Sequence, residues 1–286
     1  MHIFKGIGPL KAHLKLQISP ETSIGLVPTM GALHNGHLSL IKTSKKENTL
    51  TICSVYVNPT QFNNHADLEK YPRTIENDFR LLKEADCDIV FCPDSAEMYP
   101  EPSQIKFDFG SLDKILEGEF RPGHFSGVAL VVSKLFHIIQ PDRAYFGQKD
   151  FQQFKIVSRM TEELKFNLSL VCMPIVRETD GLAMSSRNAR LNETQRKQSG
   201  ILYQCLKDTR QRLLQGEPFP KVKNEMRDRC AQGNVRLEYL AMADRNNFSL
   251  LETMGEPQQA ILLIAAYVGD VRLIDNLFLQ EPVQGN

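Results

Sequence analysis

The sequence has no excess of either charge, since its 286 residues include 34 Lys and Arg against 34 Asp and Glu. Proteins that bind nucleic acid through its phosphates usually carry a basic excess, so no nucleic-acid partner is expected for the whole molecule. A local basic site remains compatible with this balance. The chain also lacks a long apolar run, because the stretch 260–268 is far shorter than the roughly 20 residues of a membrane-spanning helix. We therefore expect no membrane partner.

Secretion signals and cysteine patterns are also missing. The N-terminal residues show no cationic segment followed by a long apolar run and a cleavage site, so no signal peptide is visible. The six cysteines are scattered without a CxxC pair, and four lie in or beside apolar, strand-like runs. These features predict a cytoplasmic protein with reduced cysteines.

Several common nucleotide and catalytic motifs are absent. There is no GxxxxGK[ST] phosphate loop and no GxSxG nucleophile turn. Gly6-Ile-Gly8 lacks the third glycine and the preceding strand of a dinucleotide fingerprint. Covalent and redox chemistry are therefore disfavoured, and we expect no tightly bound organic cofactor.

The first part of the chain alternates short apolar runs with amphipathic stretches. This alternation predicts βαβ units and a parallel sheet, in which ligands bind beyond the carboxyl ends of the strands. The helical stretches are 74–85 and 127–139, the second ending before Pro141. The predicted strands are 24–27, 51–57, 88–92, 144–146 and 169–174.

The pattern changes near residue 176, which predicts two domains, 1–176 and 177–286. Residues 192–215 are predicted to form one polar amphipathic helix, capped by Asn192 or Thr194, and a second helix follows Pro218 and Pro220. Strands are then expected at 236–242, 260–268 and 271–278. The second domain is therefore predicted to be a smaller α+β unit.

The most informative segment runs from Val27 to Ile41 and reads VPTMGALHNGHLSLI. Its glycines permit a tight turn and a close approach of the backbone to phosphate. His34 and His37 are three residues apart and can face one way at a helix N-terminus, where the dipole favours an anion. The pair is predicted to donate to a triphosphate during displacement at phosphorus. The alternatives are simple helix capping and, more weakly, a metal site that lacks a third ligand.

Two further segments suit a nucleotide. YFGQKDFQQ ends a strand and begins a helix, with Lys149 suited to phosphate and Asp150 to ribose or a cap. Both side chains could instead be ordinary surface residues. In Met184-Ser-Ser-Arg-Asn188, two hydroxyls and Arg187 can hold the β- and γ-phosphates and stabilise leaving pyrophosphate. Alone, this segment indicates a phosphate site only weakly. As the third motif in order after the other two, it is a stronger indication.

Other segments suit a small polar substrate. VNPTQF follows the second predicted strand and presents Gln61, whose amide both donates and accepts hydrogen bonds. RPGHFSG, residues 121–127, leads into an apolar helix that carries Val131 and Val132. Gln153 lies one helical turn after Lys149. The two glutamines could also be exposed surface amides.

In their order, PTMGALHNGH, VNPTQF, YPRT, RPGHFSGVA, YFGQKDFQQ and MSSRN resemble the pantothenate synthetase (pantoate–β-alanine ligase) family. That family belongs to the HxGH nucleotidyltransferases, relatives of class I aminoacyl-tRNA synthetases. The resemblance implies a Rossmann-like doubly wound parallel sheet with a smaller α+β C-terminal domain. It implies that ATP and (R)-pantoate give pantoyl adenylate and pyrophosphate, after which β-alanine displaces AMP to form pantothenate.

The resemblance also implies roles for individual residues. His37 matches the catalytic histidine, and His34, Lys149, Ser185, Ser186 and Arg187 match phosphate contacts. Gln61 and Gln153 match the amides that hold pantoate, with Asn58, Val131 and Val132 in the same pocket, and Gln61 also lies near β-alanine. The implied ATP contacts are Met30, Gly31, Ala32, Leu33, His34, Asn35, Gly36, His37, Gly147, Gln148, Lys149, Asp150, Val176, Met184, Ser185, Ser186 and Arg187.

The resemblance further implies Mg²⁺ with the nucleotide and a homodimer. Asp78 matches an acidic position that would hold the metal, although phosphates and water could hold it instead. No general base for the amine of β-alanine is evident. Two other functions stay open at this point: an HxGH nucleotidyltransferase without the amide-forming step, and a nucleotide-sensing or tRNA-binding protein without activity.

Overall fold

The computed structural model describes residues 1–17 and 19–280, which divide into two compact units. The first unit is Met1–Pro174 and the second begins at Ile175. This division falls two residues before the boundary predicted from the sequence. No helix in the described ranges is long and apolar enough to cross a membrane.

The first unit contains a parallel sheet that comprises six strands among its described residues, in the order β1-β4-β3-β2-β5-β6. The strands are β1 (His2–Phe4), β2 (Ile24–Thr29), β3 (Leu50–Val55), β4 (Ile89–Phe91), β5 (Arg143–Gly147) and β6 (Ser169–Met173). The helices are α1 (Ile7–Gln17), α2 (Asn35–Glu47), α3 (His65–Glu69), α4 (Ile75–Glu84), α5 (Ser95–Met98), α6 (Glu117–Phe120), α7 (His124–Ile139) and α8 (Phe151–Glu163).

Helices cover both faces of this sheet, as alternate side chains along the strands show. Leu26 and Ile52 point into a core formed with α1, α7 and α8. Their neighbours Val27 and Cys53 point into a second core formed with α2 and α4. Strands buried on both faces appear in sequence as continuous apolar runs. The predicted Rossmann-like doubly wound sheet is confirmed.

The strand order reverses between β2 and β5, which are neighbours in the sheet but distant in the chain. Chains that leave adjacent strands in opposite directions open a crevice at the carboxyl edge, where ligands bind in such sheets. The segments following β2 and β5 are the histidine-containing turn and the Gly147–Asp150 turn. The topology therefore places at one crevice both motifs that the sequence predicts to bind a nucleotide.

The second unit packs helices against a three-stranded antiparallel sheet in the order β7-β8-β9. Its described elements are α9 (Glu193–Ser199), α10 (Ile201–Leu214), α11 (Phe219–Gln232), β7 (Arg236–Asp244), β8 (Ala260–Val268) and β9 (Val271–Phe278). The predicted α+β character is confirmed. None of the six cysteines forms a disulfide within the described part of the chain.

The prediction of one helix over 192–215 was wrong. Asn192 caps α9 in a reciprocal capping box with Gln195, which decides between the two predicted caps. The helix then breaks at Ser199 and Gly200, where the Ser199 hydroxyl donates to the Arg196 carbonyl. Ser and Gly at one point commonly kink a helix, because both weaken the continuous backbone ladder.

Candidate active site

His34 and His37 cap α2 from the turn that follows β2. The His34 ring nitrogen Nδ1 accepts from the Gly36 N–H at 3.1 Å, and His37 Nδ1 accepts from the His34 N–H at 3.4 Å. The two ring centroids lie 4.1 Å apart. Because each Nδ1 accepts a backbone hydrogen bond, a neutral ring carries its proton on Nε2. Capping and ligand binding are therefore compatible, since capping uses one nitrogen and leaves an Nε2–H donor.

Both imidazoles are held in the neutral form. Burial, the nearby His37 and Lys149 lower the pKa of His34 from 6.5 to about 2. Burial and Lys149 lower the pKa of His37 to about 4. Desolvation and neighbouring positive charge both disfavour imidazolium. The site therefore places two neutral imidazole donors beside Lys149.

The turn after β5 brings Lys149 to the two histidines. Gly147 ends β5, and residues 148–150 form a short 3-10 turn before α8 begins at Phe151. Lys149 lies 3.4 Å from Asp150 Oδ1. A side chain at Gly147 would meet nothing within 4 Å, so its backbone borders open space. The arrangement gives an anion a point charge, a backbone edge and the N-terminus of α2.

The loop after β3 holds two buried side-chain amides beside the turn that follows β2. The Asn58 amide NH₂ donates to Gln61 Oε1 at 3.0 Å and to the Gly127 carbonyl at 3.1 Å. Gln61 Nε2 lies 3.1 Å from Met30 Sδ, which connects the loop to the turn after β2. The alternative of an exposed surface amide is wrong for Gln61, which is 7% exposed.

The apolar part of the predicted substrate pocket lies on α7. Val131 and Val132 are buried on that helix. Gly127 lets α7 approach the loop after β3, because a Cβ there would lie 2.7 Å from Gln61 Cα and would overlap the Thr60 carbonyl. Gln153 is half-buried on α8, one turn after Lys149.

Two residues that hold this loop were not singled out from the sequence. The Tyr99 hydroxyl donates to Asn58 Oδ1 at 3.0 Å. His124 Nδ1 lies 2.8 Å from the Gln61 carbonyl, and its Nε2 lies 3.1 Å from Arg121. His124 stands within the RPGHFSG segment, so that motif already contained the signal. Tyr99 lies outside every motif recognised in the sequence.

Asp78 does not fit the predicted role of metal ligand. Its Oδ2 accepts from the Ala32 N–H at 2.9 Å, and its Oδ1 accepts from the Leu33 N–H at 2.8 Å. Hydrogen-bond donors thus face both carboxylate oxygens, whereas a cation would need them turned toward itself. Within residues 1–17 and 19–280, no group of three or more His, Cys, Asp and Glu could hold a metal ion.

The remaining predicted residues belong to the second unit. The Met184 N–H donates to the Val176 carbonyl at 3.0 Å, so these two positions are adjacent. Ser185 Oγ accepts from the Arg187 N–H at 3.3 Å and caps the 3-10 turn over Ser186–Arg190. Arg177, which follows Val176 in the chain, is anchored to β9, where it donates to the Asp275 carboxylate at 2.6 Å and 3.1 Å.

Comparison with known proteins is consistent over the whole chain. A sequence profile of the family described as "Pantoate-beta-alanine ligase" matches residues 2–278. The chain is 45% identical over 275 residues to the pantothenate synthetase of Cytophaga hutchinsonii, covering 96% of this chain and 97% of that protein. It is 44% identical over 281 residues to that of Bacteroides fragilis, covering 98% and 100%.

Solved structures agree with this. The crystal structure of pantothenate synthetase from Thermus thermophilus matches with a TM-score of 0.90 at 39% identity, covering 98% of this chain and 100% of that one. Pantoate-beta-alanine ligase from Francisella tularensis, complexed with beta-gamma ATP and beta-alanine, matches with a TM-score of 0.82 at 33% identity, covering 98% of each.

Proposed function

The chain belongs to the pantoate-beta-alanine ligase family of ATP-dependent ligases that form pantothenate, and we propose that this chain acts through a pantoyl adenylate. The observation that carries this proposal is the pair of neutral imidazoles beside Lys149, at the crevice where the strand order reverses. Membership of this family also disfavours the alternatives of a nucleotidyltransferase without an amide-forming step and of an inactive nucleotide sensor.

In the first step, a pantoate carboxylate oxygen attacks the α-phosphorus of ATP. The bond from that phosphorus to the bridging oxygen breaks, and pyrophosphate leaves. No protein nucleophile is needed, because alignment and stabilisation of spreading negative charge are sufficient. His34 and His37 donate through Nε2–H, and Lys149 supplies a full positive charge. Neutral donors suit this task because they retain their hydrogen bonds without having to gain a proton first.

In the second step, the amine of β-alanine attacks the acyl carbon of the adenylate. The bond from that carbon to the phosphate oxygen breaks, AMP leaves, and the amine nitrogen gives up a proton to solvent as the amide forms. We assign pantoate to the pocket of Asn58, Gln61 and Gln153, with Val131 and Val132 against its methyl groups. The hydrogen bond between Asn58 and Gln61 supports this assignment, because it fixes which way the Gln61 amide points.

We assign Met30–His37 and Gly147–Asp150 to ATP because of the crevice at which their turns lie. We assign Val176 and Met184–Arg187 to ATP because the family resemblance implies it. The Ser185 cap supports the second group, since it presents consecutive hydroxyls and Arg187 from one short turn. The resemblance is the basis for a cytoplasmic homodimer and for Mg²⁺ held by nucleotide phosphates and water.

The direct test is to incubate the protein with ATP, pantoate and β-alanine and to identify the products by mass spectrometry. Pantothenate and AMP are expected, and ADP as product would refute adenylation. AMP formed from ATP and pantoate without dependence of turnover on β-alanine would favour the nucleotidyltransferase alternative.

Substitution of the donors tests their roles. His37→Ala and Lys149→Ala should each lower the rate of AMP formation by about 100-fold or more, the scale of losing one transition-state donor. His137→Ala is the matched control, because His137 is exposed near the far end of α7. Turnover near the wild-type rate in either donor variant would contradict the assigned role.

A further inference from the structure

Asp78 is a buried carboxylate committed to the backbone of the turn after β2. Its residue is only 1% exposed and lies in the first turn of α4. Besides the Ala32 and Leu33 N–H groups, the Thr74 hydroxyl donates to Oδ1 at 3.1 Å. Removing a carboxylate from water is costly unless donors of this kind replace the lost hydration. The three hydrogen bonds supply that replacement.

The turn that receives Asp78 has a backbone shape that needs support. Gly31 and Ala32 both have positive φ, 76° and 49°. Ala32 has a Cβ, so its left-handed conformation costs free energy that surrounding contacts must offset. Successive N–H groups in such a turn converge into a concavity that binds an anion. Here the anion is the Asp78 carboxylate.

The absence of a side chain at Gly31 leaves room for the Asp78 carboxylate. A Cβ at Gly31 would lie 2.9 Å from Asp78 Oδ2 and 3.2 Å from Val55 Cγ1. The carboxylate therefore occupies the space that a side chain at position 31 would need. Glycine at this position and aspartate at position 78 are parts of one arrangement.

The shape of this turn determines where the histidines lie. Leu33, whose N–H is held by Asp78, immediately precedes His34, which caps α2. We propose that Asp78 is a positioning residue that holds residues 31–33 so that His34 and His37 face the nucleotide phosphates, and that it is not a Mg²⁺ ligand. The catalytic part of this proposal rests on the roles assigned to the two histidines above.

Asp78→Asn is the informative substitution, because it keeps the side-chain volume but turns an NH₂ toward a backbone N–H. In the nucleotide-free, metal-free protein, we expect faster hydrogen exchange at the amides of residues 32–37. We also expect kcat/KM for ATP to fall about tenfold to 100-fold, as small displacements of catalytic groups do. The Mg²⁺ concentration that gives half-maximal activity should stay unchanged.

Asp142→Asn is the matched control. Asp142 also accepts a backbone hydrogen bond at one end of β2, from the Ile24 N–H at 2.7 Å, but at the amino end of the strand. A substitution that only weakens the fold should affect both variants alike in thermal melting. Faster exchange at residues 32–37 and the loss of kcat/KM should be confined to Asp78→Asn.

The outcomes separate the possibilities. Unchanged exchange at residues 32–37 in Asp78→Asn overturns the positioning role, and a raised Mg²⁺ requirement in that variant restores the metal role. If Asp78→Asn does not fold, Thr74→Val gives the same readouts, and we expect a smaller increase in hydrogen exchange at residues 32–37. Unchanged exchange in Thr74→Val would refute the proposed arrangement. The exchange measurement needs no turnover, so it remains decisive even if the wild-type protein fails to release AMP.

Discussion

Acidification should destabilise the first unit, because its two site histidines are held neutral in the folded state. For His37, the pKa is 6.5 when unconstrained and about 4 in the structure. A group whose folded pKa is depressed binds more protons in the unfolded state at intermediate pH. Stability should therefore be fully present above about pH 6.5 and should decrease as the pH falls toward 4.

The magnitude follows from these two values. At about pH 5, the unfolded imidazole is almost fully protonated and the folded one is mostly neutral, which favours unfolding by about 2 kcal/mol relative to pH 7. This is an upper bound, since His37 is partly accessible to solvent. His34, with a pKa of about 2, adds an effect of the same sign.

Two measurements test this account. Urea unfolding of the wild type and of His37→Gln at about pH 7 and pH 5 should show a pH-dependent loss that is smaller in the variant by up to about 2 kcal/mol. Nitrogen NMR should show both site imidazoles as Nε2–H tautomers that do not titrate between pH 5 and 8. Equal pH dependence of the two proteins, together with titration of His37 near pH 6.5, would refute the reasoning.

Two other substitutions have expected outcomes. Gly127→Ala should destabilise the protein by about 1–3 kcal/mol and raise the KM for pantoate, since the new Cβ overlaps the Thr60 carbonyl. Gly8→Ala is its control in thermal melting and should be neutral or stabilising, because a Cβ there meets nothing within 4 Å. Arg177→Met should destabilise the second unit by about 3–5 kcal/mol, because it removes the cationic partner of the buried Asp275. A lower melting temperature should show this loss. Asp275→Asn combined with Arg177→Met should recover part of that loss, and no recovery would contradict the ion-pair explanation.

The sheet was largely predictable because its central strands are buried on both faces. Such strands stand out as apolar runs, and β2 to β6 were all found within a few residues. β1 was missed, since it has only three residues at the edge of the sheet and is mostly exposed. An exposed edge strand needs no apolar run, so its sequence resembles a loop.

That the two glycine-containing turns lie at one crevice was also predictable, but the protonation of their histidines was not. Glycines and histidines between a strand and a helix indicate an anion site from local geometry alone. The neutral state of His34 and His37 depends on burial and on Lys149, which arrives from the turn after β5. Those effects arise only when the sheet brings the two turns together.

Asp78 shows why residue type alone could not decide its role. An aspartate beside a nucleotide site suggests a cation, because a carboxylate is the usual oxygen ligand of Mg²⁺. Here its partners are the N–H groups of Ala32 and Leu33, which every residue but proline possesses and which no sequence pattern marks. Only the left-handed turn at Gly31 and Ala32 makes these N–H groups converge. A carboxylate that replaces the hydration of two converging N–H groups stabilises the turn that presents the two site histidines, and this explains its burial without a metal ion.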